Sequence, residues 1–137
     1  MISCSGENPA LKIGIHHSKL AICPSSPNCV SSDATDPDHY IEPFLLTATP
    51  AEAWRVVQAI VAAEPNTKII TAESNYLHAE CRSDLFGFVD DLEMHLRPAE
   101  TVIAIRSASR LGYFDFGVNR KRLERLRSEL SGKGLTE

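Results

Sequence analysis

The stretch YLHAECRSDLFGFVDDLEMHLRPAETVIAIRSASR, residues 76–110, alternates apolar and polar side chains with a period of two. Phe86, Phe88, Leu92, Met94 and Leu96 share one side of a strand, and Asp91, Glu93 and His95 share the other. The pattern repeats over residues 101–109, where Ile103 and Ile105 face a core and Arg106 points away with Val102 and Ala104. Arg97-Pro98-Ala99-Glu100 is the turn between them. Working back, residues 76–82 and 68–74 are two further strands parted at Asn75. Strands joined by such short turns pair antiparallel.

On either side the period changes to that of a helix. Thr49 is placed to cap, Pro50 sits where a missing N–H is harmless, and Glu52 can reach back to the cap. Ala53, Val56, Val57, Ile60 and Val61 then form an apolar stripe with Trp54 beside it, until Pro65 and Asn66 end the helix. A second helix over residues 119–130 carries Leu123, Leu126 and Leu130 on one face, leaving Arg122, Arg125 and Arg127 as solvated surface. A short strand over residues 42–47 precedes the first helix. The expected fold is α+β, a two-layer sandwich. A mainly antiparallel sheet of four or five strands carries two helices packed on one face, and its other face is open to water or a partner. Residues 1–42, rich in Pro, Ser and Asn, form an irregular N-terminal arm containing the Cys23/Cys29 loop. Residues 43–131 form a single α+β domain, and 132–137 a flexible tail.

The whole chain has 137 residues and a formal net charge of -4, so it exerts no whole-chain attraction on nucleic acid or anionic lipid. The charge is uneven, with 6 basic and 14 acidic side chains up to residue 100, then 8 basic and 4 acidic. No run approaches the roughly 20 apolar residues of a transmembrane helix, nor is there an apolar leader. The expected compartment is cytoplasmic, or external to it if a leader has been removed.

Three groups of residues carry chemistry. On the open sheet face, His78, Glu80, Glu93 and His95 are weak candidates for metal-assisted hydrolysis, but they form no local ligand motif, so no metal is assigned. Cross-strand pairing of Arg106 with Glu93 or Asp91 explains that face as a solvated ionic surface. Asp90 falls on the apolar side and needs a partner, which Arg110 or Arg120 can supply; Asp90, Asp91 and Glu93 are therefore read as structural ion-pairing residues. Arg106, Arg110, Asn119 and Arg120 form a corner suited to an anion or partner, unless Asp115 or Asp90 neutralises the arginines and Asn119 only caps the helix. Between them Tyr113, Phe114 and Phe116 read as plugs of the core. Cys23 and Cys29 are spaced for a disulfide, equally for two separate thiols, or, with His16, His17 and His39, for a metal. Cys4 and Cys81 have no assigned role. No nucleophile–base motif appears, no catalytic residue is assigned, and no motif calls for a cofactor.

CPSSPNCVSS at 23–32, YLHAECRSDLFGFVDDLE at 76–93 and RSASRLGYFDFGVNRKRLERLR at 106–127 are similar to the DUF1499 family of uncharacterised proteins. The resemblance adds Pro24, Ser26, Pro27, Asn28, Ser107, Ser109, Gly112, Gly117 and Arg122 to the residues of interest and assigns none of them a reaction. Phe114 and Phe116 make the loop more apolar than the resemblance implies. The expected function is a non-catalytic binding or interaction domain for an anionic small molecule or protein. A metal-assisted hydrolase and a purely structural protein are the alternatives.

Overall fold

A computed structural model of the chain describes residues 13–83 and 87–137. Its elements run β1 (Ile15–His16), β2 (Lys19–Leu20), β3 (Cys29–Ser31), β4 (Phe44–Leu45), α1 (Pro50–Ala63), β5 (Thr67–Ala72), β6 (Tyr76–Arg82), β7 (Val89–Arg97), β8 (Val102–Ser109) and α2 (Val118–Gly132). β1 and β2 form a small separate hairpin. The main sheet is six-stranded and antiparallel, in the order β3-β8-β7-β6-β5, with β4 also on β8. β3 and β4 divide the outer edge of β8 between them, β3 against Arg106 to Ala108 and β4 against Val102 and Ile103. The fold is α+β, with two helices packed against this sheet.

Local chemistry explains where the elements begin and stop. Thr49 Oγ1 accepts a hydrogen bond from the Glu52 amide, and Pro50 opens α1. Pro65 disfavours helical backbone at Glu64, which is extended, and the helix stops there. Leu77, Leu92, Met94, Ile103 and Ile105 line the helix side of the sheet. Val57, Val61, Leu123, Leu126 and Leu130 join them in one core. Each fully buried side chain of this size stabilises the fold by about 1.5–3 kcal/mol.

Three expectations need correction. The sheet gains a sixth strand because β3 comes from the arm, so the arm is not an appendage outside the domain. The face opposite the helices is not open: every residue from Asp90 to Leu96 and from Ile103 to Ala108 is buried. The β1–β2 hairpin lies over that face, and Leu20 packs with Tyr76 and Ala104. Nor is the C-terminus loose. Leu135 is in the core, Thr136 bridges Leu46, and the Glu137 amide donates to the Leu45 carbonyl. Phe88 precedes β7 and is exposed, so the alternation starts at Val89. Phe86 and Cys4 lie outside the described residues. No helix among the described residues is long and apolar enough to cross a membrane.

Candidate functional site

The arm is fixed to the sheet at Cys23 and Cys29, which are joined in a disulfide with a Cα–Cα distance of 5.7 Å. The seven-residue ring, Cys23 to Cys29, places Asn28 beneath the loop that follows β8. Its Nδ2 donates to the carbonyls of Gly112 (2.9 Å) and Leu111 (3.4 Å), while its Oδ1 accepts from the Ser26 hydroxyl. His39 supports the ring from outside, with one nitrogen on the Ser26 carbonyl and the other on the Asp36 carboxylate. The bond to Ser26 raises the His39 pKa, burial opposes it, and Asp36 adds to the rise. With an acceptor at each ring nitrogen, the protonated form is favoured.

Above this ring stands Asn119, wholly buried in the first turn of α2. Its Oδ1 accepts from the Ser107 hydroxyl (2.6 Å) and from Arg122 Nη1 (2.9 Å). Its Nδ2 donates to Asp115 Oδ2 (2.8 Å), Ser109 Oγ (2.9 Å) and the Asn28 carbonyl (3.3 Å). The cap is not Asn119 but Gly117, in left-handed backbone at φ 76°. Asp115 takes over the capping chemistry, accepting from the Gly117 and Asn119 amides. Burial works to raise the Asp115 pKa, but those bonds hold it below the usual carboxylate range. Asp90 closes the cluster by accepting from Arg122 Nη2 at 2.8 Å. Its expected partners Arg110 and Arg120 both lie elsewhere. Arg122, expected in solvent, is instead drawn in by Asp90, Ser107 and Asn119 together. Arg127 also leaves the solvated surface, reaching the Pro43 and Glu42 carbonyls and lying over the Phe44 ring.

The opposite face holds a second cluster under the hairpin. Register sets His78 against Glu93, Glu80 against Asp91 and Tyr76 against His95. Glu93, 0% exposed, accepts from the Tyr76 hydroxyl (2.5 Å), the Gly14 amide (2.7 Å) and Arg106 Nη1 (3.2 Å). Burial first, then the Glu93 charge, push the Tyr76 hydroxyl far above its ordinary pKa. Arg106 Nη2 reaches the Ile22 carbonyl at 3.4 Å, and its Nε has no partner. Toward the sheet's end Arg110 grips Asp91 with two bonds and Glu80 with one, and His78 Nε2 donates to Asp91. His95 accepts from Arg97, whose other nitrogens hold Asp33. Burial and then the Arg97 charge lower the His95 pKa, which favours the neutral ring. The four weak metal candidates are thus each engaged by a neighbour. Among the described residues no group of three or more His, Cys, Asp and Glu is arranged to hold a metal ion.

Of the expected corner, Arg106 and Asn119 are buried and Arg110 is shared by two carboxylates. Only Arg120 faces outward without a carboxylate partner among the described residues; it touches the Asp38 carbonyl at 3.5 Å. Beside it the loop departs most from expectation. Leu111, Tyr113, Phe114 and Phe116 are all exposed, Phe116 to 90%, so none plugs the core. Phe116 also has left-handed backbone, φ 55°, which a bulky side chain resists. The loop's frame is nevertheless firmly tied, by Arg110 at its start, Asn28 beneath Leu111 and Gly112, and Asp115 and Asn119 at its end. Phe114 and Phe116 border a hollow of about 170 Å³ together with Pro27, Val30, Asp38 and Arg120. A family model described as "Protein of unknown function (DUF1499)" matches residues 19–130. No curated protein and no solved structure matches the chain.

Proposed function

Since the chain belongs to the DUF1499 family of proteins of unknown function, we propose that it is a non-catalytic interaction domain that binds through the loop 111–118 and Arg120. The observation that carries this reading is Phe116. Water contact and left-handed backbone both work against a phenylalanine there, each by about 1 kcal/mol or more, and no intramolecular packing offsets them. Strain of this kind persists where a partner, rather than the fold, uses the side chain. The tied frame supports the same reading, because a preorganised loop loses little entropy on binding. Arg120 adds a charged group at the edge of this aromatic surface, with Asp38 beside it. Of the four corner residues, Arg110 and Asn119 mount the loop, and Arg106 lies under the hairpin instead.

A photoreactive benzoylphenylalanine at position 116, expressed in cells, tests this. Irradiation should yield a discrete adduct that the same group at exposed Glu129 does not yield. Equal background from the two positions would remove the reading.

A further inference from the structure

On the face away from the loop, we infer that the β1–β2 hairpin is a redox-latched strap. The Cys23–Cys29 disulfide holds it shut over Tyr76, Glu93 and Arg106, and reduction by a dithiol releases it. The inference rests on how little else holds the hairpin, what lies beneath it, and which sulfur can be reached.

A hairpin of two two-residue strands is marginal in water by itself. Of residues 13–22 only Leu20 is buried, and Ile22 is 89% exposed. Among the described residues, three hydrogen bonds tie the hairpin to the body. The Gly14 amide donates to Glu93, the Leu20 amide to Asp33, and Arg106 to the Ile22 carbonyl at 3.4 Å. A hollow of about 790 Å³ opens between the hairpin and residues 31–36, so that flank is loosely packed. The covalent tie follows at once: Cys23 succeeds Ile22, and Cys29 is fixed in β3 against Ala108 of β8. Opening the bond leaves a six-residue tether, Cys23 to Asn28, and lowers the local concentration of the hairpin at its seat.

Beneath the strap Glu93 and Arg106 are buried as a pair, and Arg106 Nε has no acceptor among the described residues. A buried donor left unmet disfavours the closed form, because lifting the strap gives it water. The closed state therefore carries a bias toward opening, which the disulfide opposes.

The two sulfurs differ in access. Cys29 is 1% exposed, whereas Cys23 is partly exposed and lines the hollow. A thiolate of the dithiol attacks Cys23 Sγ, the S–S bond breaks, and its electron pair leaves on Cys29 Sγ, which takes up a proton. The second thiol of the reductant then attacks its own sulfur in the mixed disulfide, closing the reductant's disulfide and freeing Cys23 as a thiol. Two electrons and two protons pass to the protein.

Nitration by tetranitromethane, mapped by mass spectrometry, tests this on the full chain, either oxidised or reduced with dithiothreitol and capped with iodoacetamide. Tyr76, 9% exposed under the strap, should react roughly tenfold faster or more in the reduced form, while exposed Tyr40 and Tyr113 react alike in both. Cys23→Ser with Cys29→Ser, which needs neither reductant nor capping, should match the reduced form. Amide exchange should quicken over residues 13–22 and stay unchanged in β6 to β8 and α1. Equal nitration of Tyr76 in the two forms overturns the inference. So does an equal loss of protection throughout the sheet, which marks general loosening, or glutathione trapped on Cys29 rather than Cys23.

Discussion

Two buried polar clusters lie on opposite faces of β6, β7 and β8, and they are satisfied to different degrees. Asn119 and its neighbours match donors to acceptors throughout: both heteroatoms of its amide are used, and Arg122 is shared among a carboxylate, a hydroxyl and an amide oxygen. Across the sheet, Glu93 has three donors, whereas its partner Arg106 has two long bonds and an Nε with none. The first cluster is centred on neutral amides and hydroxyls, to which the Asp90–Arg122 pair and Asp115 are joined, and it links four segments of chain. The second is a buried ion pair beneath a hairpin. An amide-centred network stabilises through the number of its matched bonds, while a pair of isolated buried charges stabilises only while both are present. Equal burial therefore implies unequal responses to mutation.

The largest effect should come from splitting the ion pair. Glu93→Leu strands the Arg106 guanidinium away from water and should cost about 3–5 kcal/mol, read as a lower urea midpoint. Asn119→Leu should follow at about 2–4 kcal/mol, because Ser107, Arg122 and the Asn28 carbonyl lose a partner together. Adding Asn28→Leu should not restore stability, since the carbonyls of Leu111 and Gly112 would then be left bare as well.

Acid titration separates the faces next. Burial alone would raise the Asp91 pKa, but hydrogen bonds from Arg110 and His78 outweigh it and bring it to about 2. That lies below its unfolded value of roughly 3.9, so the stabilisation is complete above that pH and is lost as pH falls toward 2. It amounts to about 2 kcal/mol, and Asp91→Asn should flatten that limb of the stability curve. His39 has the opposite sign. Its pKa is raised, so its contribution is full below about 6.5 and fades as pH rises through the folded value. His39→Gln should flatten that side instead.

The smallest effect should come from removing the ion pair whole. Glu93→Leu, Arg106→Met and Tyr76→Phe together should unfold within about 1 kcal/mol of the unaltered chain. A loss as large as that of Glu93→Leu alone would mean that the pair contributes net stability, and the contrast between the two clusters would disappear.

Much of this was legible beforehand, for physical reasons. A period of two located Glu93 and Arg106 on one face and Asp90 on the other, because alternation follows from strand geometry alone. Thr49, Pro50 and Glu52 marked a helix start through purely local hydrogen bonding. Arg122 was not legible, since the rotation of α2 on the sheet selects which arginine turns inward. A signal did exist: Asn119 extends the Leu123, Leu126, Leu130 stripe backward by four residues, and a polar residue on such a stripe is destined for burial. The covering of the far face was hidden because the arm has no periodicity to reveal what it packs against. The loop was misread because apolar composition normally implies the core, and nothing local distinguishes a plug from a displayed ring.

The bond from Asn119 to the Asn28 carbonyl spans 91 residues of chain. It closes only after the arm and the last helix have both docked on β8, late in any order of assembly that begins with the consecutive hairpins β5 to β8. Interactions that form after the transition state act on the rate of escape from the native state. Asn119→Leu should therefore accelerate unfolding while leaving refolding nearly unchanged. In kinetic terms the asparagine pair sets how long the fold survives, while the hairpins set how quickly it is reached.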